Sequence, residues 1–222
     1  MLKPIIEKVA GDHVGIMLPA SASASILYLA ALFAGKTPVM INWTVGVGNV
    51  QHGLDLTGVT TIITARALYR KLMGQGVELS AIATGWLFVD EVAATIPTPR
   101  KIGALLQALL GARSLAHAKI PETAAILFTS GSESRPKAVP LTHANIIANM
   151  RDFASIVAFA DNHRLLGMLP PFHSLGLVGT IILPLCLGLR TVYHTNPTEA
   201  TILAGLIERY RVSTVIGTPT FL

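Results

Sequence analysis

The densest chemistry in this chain lies between residues 124 and 140. An apolar run, Ala124 to Phe128, opens into Thr129-Ser130-Gly131-Ser132-Glu133-Ser134-Arg135 and closes at Pro136-Lys137. Such a stretch suits a polyphosphate. Thr129, Ser130, Ser132 and Ser134 offer hydroxyl donors, Gly131 lets backbone N–H groups approach an anion, and Lys137 supplies a compact positive charge.

The stretch is not a Walker A loop, which requires G-x-x-x-x-G-K-[ST]. Gly131 and Lys137 have the right separation, but Pro136 stands where the second glycine belongs and Ala138 replaces the Mg²⁺-binding hydroxyl. The alternative is an ordinary surface turn between a strand and a hairpin partner, built from the same Ser, Gly and Pro residues.

The order of the residues is more specific than their types. Thr129 to Val139 resembles the phosphate loop of the adenylate-forming (ANL) superfamily, which includes acyl-CoA synthetases, luciferases and peptide-synthetase adenylation domains. Ser134 and Ala138 depart from that pattern, standing where the family usually has glycine. Leu169-Pro170-Pro171-Phe172-His173-Ser174-Leu175-Gly176 is similar to the family's P-x-F-H-x-x-G segment. Gly11-Asp12-His13-Val14-Gly15-Ile16 with Ala34-Gly35-Lys36-Thr37-Pro38 resembles its opening strand and turn, and Thr214 to Phe221 resembles the strand before its acyl-binding helix. Asn42-Trp43-Thr44 and Phe128 to Glu133 are closest in character to acyl–acyl carrier protein synthetases, including those fused to a 2-acylglycerophosphoethanolamine acyltransferase. Long-chain fatty acid–CoA ligases are also similar.

The resemblance implies attack of a fatty acid carboxylate on the α-phosphate of ATP, with Mg²⁺. An acyl-adenylate and pyrophosphate result, and the acyl group passes to the thiol of an acyl carrier protein or coenzyme A. Ser130, Gly131, Ser132 and Lys137 would cradle the β- and γ-phosphates, and Thr129 would touch phosphate or help place Mg²⁺. Glu133, repelled by phosphate, would order the loop or pair with Arg135. His173 would sit near the α-phosphate and face the same crevice as the loop, with a core histidine as the plainer alternative. The family's later acidic, ribose-binding and catalytic-lysine motifs have no match here. The expectation is therefore that residues 1–222 form a partial N-terminal (AMP-binding) domain, inactive in isolation. A non-catalytic nucleotide-binding or interaction module and a membrane-associated segment stay open as alternatives.

Composition narrows the field. The chain is 51% hydrophobic and 13% charged, as befits strands covered on both faces. Net charge is +5, but the basic residues are scattered and aromatics amount to 6%, which argues against nucleic acid as a partner. The seven histidines lie far apart without metal-ligand spacing, and the lone Cys186 excludes an internal disulfide, in keeping with a cytoplasmic setting. Val14–Gly35 and Leu165–Leu189 are uncharged and long enough to raise the question of a membrane span; Pro19, Pro170, Pro171 and Pro184 favour strand–helix units instead.

Positioning these groups requires alternating elements. Strands are expected over 13–18, 38–41, 60–64, 86–89, 124–129, 164–169, 190–194 and 213–216, and helices over 21–33, 45–55, 65–73, 102–110, 142–159, 174–187 and 198–210. Thr142 and Thr198 are the expected N-caps. The pattern predicts an α/β fold: a mostly parallel sheet, or sheets, with flanking helices. Between Pro97 and Pro121, Ile102, Leu105, Leu106, Leu109 and Leu110 follow helical spacing with basic residues at both ends. The expectation is a helix packed on its own core, and the alternative is peripheral membrane contact through Ile102–Leu110.

Overall fold

The computed structural model describes residues 1–222 apart from 112, 130–134, 158, 161 and 220–222, with the side chains of 113 and 114 also set aside. It confirms the α/β class. The chain divides into two compact units: residues 1–17 with 27–140, and residues 18–26 with 141–222.

The first unit carries β1 (His13–Met17), β2 (Thr37–Met40), β3 (Thr61–Thr64), β4 (Gly85–Phe88) and β5 (Thr123–Phe128). Together with β6 (Ala138–Thr142), whose last residues pass into the second unit, they form a sheet in the order β4-β3-β1-β2-β5-β6. β1 pairs in parallel with β2, Val14 opposite Pro38, and with β3, Ile16 opposite Ile63. β2 continues in parallel to β5, and β3 to β4. Val14, Ile16, Val39, Ile62 and Ile63 are all buried, the near-continuous apolar pattern of a parallel sheet covered on both faces.

The helices of this unit are α1 (Lys3–Ile6), α2 (Ala22–Phe33), which begins in the second unit, α3 (Val47–Thr57), α4 (Arg66–Gly74), α5 (Val89–Thr95), α6 (Thr98–Leu109) and α7 (Arg113–Ala116). Val50 and Leu54 of α3 and Leu72 of α4 pack with Ile41, Ile62 and Ile126 in one core cluster. α4 has Ala65 at its N-cap, with no side chain to cap with. Asp90 of α5 accepts instead from the Arg66 N–H, at 3.1 Å to each carboxylate oxygen.

Two expectations are corrected here. α6, expected from 102, begins at Thr98, with Pro97 as its N-cap and Pro99 in the first turn, where a missing N–H costs nothing. Nor does α6 bury its leucines: Ile102, Leu105, Leu106 and Leu109 are all exposed, so the packed-on-core expectation fails.

The second unit holds β7 (Arg164–Gly167), β8 (Arg190–Tyr193) and β9 (Thr214–Val215) in the parallel order β8-β7-β9. Its helices are α8 (His143–Ile156), α9 (Ser174–Gly176), a π-helical stretch Leu177–Ile182, α10 (Leu183–Leu187) and α11 (Ala200–Tyr210). Thr142 caps α8 as expected, in a capping box: its hydroxyl accepts from the Asn145 N–H while Asn145 Oδ1 accepts from the Thr142 N–H. Thr198 does not cap α11. Glu199 is the N-cap residue, and Thr198 is held by Asn196 Oδ1 in a side-chain-stabilised turn. Val14–Gly35 and Leu165–Leu189 resolve into strand and helix, and no helix among the described residues is long and apolar enough to cross a membrane.

Gly176 is a point of contact that admits no other residue. A Cβ there would lie 1.9 Å from the Pro170 carbonyl oxygen, a backbone atom that cannot swing aside. Gly205, in the exposed middle of α11, has nothing within 4 Å of such a Cβ. Gly176→Ala is expected to destabilise the second unit by about 1–3 kcal/mol, and Gly205→Ala to stabilise it by about 0.5–1 kcal/mol. Urea unfolding checks both, and a Gly176→Ala midpoint equal to wild type would refute the close-contact account.

Candidate functional site: a clasped loop and a proline-framed histidine

β5 ends at Phe128, whose ring sits against Gly53 of α3; a Cβ on Gly53 would come within 2.9 Å of the ring. This tight contact fixes the strand end from which the loop departs. Beyond it, Thr129 and Lys137 clasp each other. The Thr129 N–H donates to the Lys137 carbonyl at 3.1 Å, and the Lys137 N–H donates to the Thr129 hydroxyl oxygen at 3.1 Å. A connection this short between adjacent strands cannot be a parallel crossover, so β5 has the hairpin partner that the surface-turn alternative named: β6, absent from the expected strands. Pro140 hid it. A proline demotes a run to an edge strand, and β6 is the edge of its sheet.

The clasp has chemical consequences. The Thr129 hydroxyl accepts from backbone, and among the described residues its own proton has no acceptor. Lys137 is exposed, and among the described residues no carboxylate pairs with it. Ser130, Gly131, Ser132 and Glu133, the other expected phosphate-loop residues, lie outside the described residues. Arg135 contributes to a polar cavity of 460 Å³ together with Asn49, His52 and Asp55 of α3, so the loop's return side faces the helix that follows β2. The turn between β2 and α3 is itself side-chain-held. Asn42 Oδ1 accepts from the Thr44 N–H at 2.9 Å and from its hydroxyl at 2.7 Å.

His173 belongs to the second unit, where Pro170 and Pro171 precede it and α9 follows. Its N–H donates to the Pro170 carbonyl at 3.2 Å and its carbonyl accepts from the Leu177 N–H at 2.8 Å, so the backbone is fixed on both sides. Phe172 is buried beneath it, the two rings edge to face at 4.7 Å. The imidazole itself is exposed and makes no cap bond, unlike a core histidine. Partial burial nevertheless holds its pKa below the ordinary imidazole value.

The helix after His173 carries a device that short-range patterns do not reveal. Pro184 has no N–H, so the Thr180 carbonyl lacks its usual α-helical partner. The Tyr193 hydroxyl of β8 donates to that carbonyl at 3.0 Å. With its only proton used there, Tyr193 accepts from Ser25 Oγ at 3.0 Å. A proline inside a helical run is the sequence signal for such an orphan carbonyl, but nothing local names the donor.

α8, α9, the π-helical stretch and Ile216, just past β9, also frame a mostly apolar cavity of 430 Å³. Met150, Phe153, Val178 and Leu183 line it, with Asn145, Asn149 and Ser174 as its polar side chains. Sequence analysis did not anticipate this cavity, because its walls come from segments far apart in the chain.

A mostly parallel sheet, with a hydroxyl-rich sequence following the end of β5 and Thr129 clasped to Lys137, is the frame against which known proteins can be compared. The model of the AMP-binding enzyme family matches residues 6–222, and the chain belongs to that family. Among its relatives, the medium-chain fatty-acid–CoA ligase of Escherichia coli (strain K12) is 29% identical over 223 residues, covering 96% of this chain and 38% of that protein. The medium-chain-fatty-acid–[acyl-carrier-protein] ligase TtuA of Teredinibacter turnerae is 36% identical over 108 residues, 47% of this chain and 16% of that one. Among solved structures, Bacillus subtilis O-succinylbenzoate coenzyme A synthetase with AMP superposes with a TM-score of 0.73 at 20% identity, covering 95% of this chain and 50% of that chain. That likeness shows the fold. The chain thus spans well under half the length of these curated relatives.

The lowered pKa of His173 gives a measurable consequence. The folded value lies below the unfolded value of about 6.5, so between the two the unfolded chain binds more protons. The stability this ring contributes is complete above about pH 6.5 and is lost as pH falls through its folded pKa. NMR titration of the His173 ring proton is expected to show a midpoint below 6.5; a midpoint at or above it would contradict the burial described here.

Proposed function

We propose that this chain supplies the phosphate-binding and acid-binding part of an ATP-dependent enzyme that activates a fatty or similar apolar carboxylic acid as its acyl-adenylate. The acyl group then passes to a thiol of coenzyme A or an acyl carrier protein. The observation that carries the reading is the clasp that holds Thr129 and Lys137 at the neck of the hydroxyl-rich loop, with an exposed lysine that meets no carboxylate among the described residues. Membership of the AMP-binding enzyme family and the ligase names of its relatives support it.

In this reading Lys137 neutralises the β- and γ-phosphates, and Ser130, Gly131 and Ser132 donate to them. Glu133 stays off the phosphates and orders the loop. Mg²⁺ takes most of its ligands from phosphate and water, and Thr129 is the protein oxygen this neck offers. His173, neutral at pH 7, is a hydrogen-bond partner for the carboxylate or the α-phosphate rather than a fixed cation. The 430 Å³ cavity is of ordinary ligand-pocket size and lined as an acyl chain requires. The medium-chain names of two relatives favour a chain of intermediate length.

Two experiments on the full-length protein carrying these residues test the proposal. Lys137→Ala is expected to reduce acid-dependent ATP–pyrophosphate exchange by roughly 10- to 100-fold, the loss of one charge-assisted phosphate contact, with the melting temperature unchanged. Undiminished exchange would sink the assignment. Val178→Phe, which fills part of the cavity, is expected to move the preferred acid toward shorter chains. An unaltered chain-length profile would remove the cavity from the acid site while leaving the Lys137 result to stand.

A further inference from the structure

We propose that α6 is a peripheral anchor for anionic lipid surfaces, an interaction independent of the acyl-activating reading. Its orientation carries the argument. Ile102, Leu105, Leu106, Leu109 and the C-cap Leu110 are 53%, 60%, 53%, 74% and 79% exposed. The first four fall within about 100° of arc at 3.6 residues per turn. Ala104, on the opposite side, is the only residue of Lys101–Leu110 that is even half-buried. The helix therefore approaches the protein only at Ala104 and leaves its leucines outward, the reverse of an amphipathic helix serving its own core. Among the described residues nothing covers that stripe.

Charge selects the occupant. From Val92 to Pro121 the sequence contains Arg100, Lys101, Arg113 and Lys119 and no Asp or Glu. Arg100, Lys101 and Lys119 are exposed, and Ile120 beside Lys119 is 50% exposed. By the same helical geometry Lys101 borders the leucine stripe at Leu105. Its long stem can lie along apolar surface while the ammonium reaches a headgroup. An apolar stripe flanked by cations and free of acids fits an interface where acyl chains lie under anionic phosphates. A second copy of this chain would bring four like charges against four, with no acid in the segment to relieve them.

The test is co-sedimentation of the full-length protein with vesicles of phosphatidylcholine alone and of phosphatidylcholine mixed with phosphatidylglycerol. Binding is expected to the mixed vesicles, to weaken with added salt, and to be much lower with phosphatidylcholine alone. The double variant Arg100→Gln/Lys101→Gln is expected to bind about 30-fold more weakly. Leu105→Ser/Leu109→Ser is expected to lose at least tenfold. All these side chains are exposed, so thermal unfolding should be unaltered in both variants. Wild type that stays in the supernatant, or the leucine variant binding as well as wild type, would overturn the proposal. So would equal, salt-insensitive binding to both vesicle types. A wild-type dimer that the leucine substitutions dissociate, without vesicle binding, would assign the stripe to a second copy instead.

Discussion

Parallel pairing is the constraint from which the rest of the first unit follows. A parallel ladder sends the C-terminal ends of its strands to one edge of the sheet, and each return must cross a face as a helix. β2 and β5 are parallel neighbours, so the turn after Met40 and the loop after Phe128 emerge side by side. That adjacency brings Arg135 beside Asn49 and Asp55. It also demands apolar residues on both faces of each strand, which accounts for a hydropathy that at first invites thoughts of a membrane span. Ligand crevices at the carboxyl ends of such strands are a general property of open α/β sheets.

Within that frame, the chemistry depends on atoms that are missing as much as on atoms present. Gly53 gives up a side chain so that Phe128 can close on α3. Gly176 gives up another so that Pro170 can close on α9. The two contacts belong to different units and hold different functional groups. Each gives the segment beside it a fixed root. Pro184 is the complementary case. It removes a donor from inside a helix, and Tyr193 replaces that donor from another element, linking β8 to the helix behind His173.

Legibility in the sequence followed the range of the interactions. Eight strands and the main helices could be read because apolar periodicity and turn residues are local. β6 was concealed by Pro140, and α5 by the apolar run that begins β4 and continues into Val89 without a turn residue. Periodicity also found α6 but could not say which way it faces, because a stripe of leucines looks the same whether it meets a core or open space. Only the half-buried Ala104 decides that. At the candidate site, the lysine and the histidine stood out by their neighbours in sequence. The Thr129–Lys137 clasp, the Tyr193 bridge and the cavity under Val178 depend on segments that meet only after folding.

The π-helical stretch Leu177–Ile182 has a consequence for how this helix is timed along its axis. In an α-helix each residue advances the side-chain direction by about 100°. Wider i→i+5 turns advance it less per residue, so a π stretch acts as an inserted step that shifts the phase of everything beyond it. Ser174–Gly176 and Leu183–Leu187 are therefore two segments on one axis that keep different clocks. Gly176 meets the Pro170 turn while Leu183, further along, is buried in the core, and the π stretch between them sets the angle from one to the other.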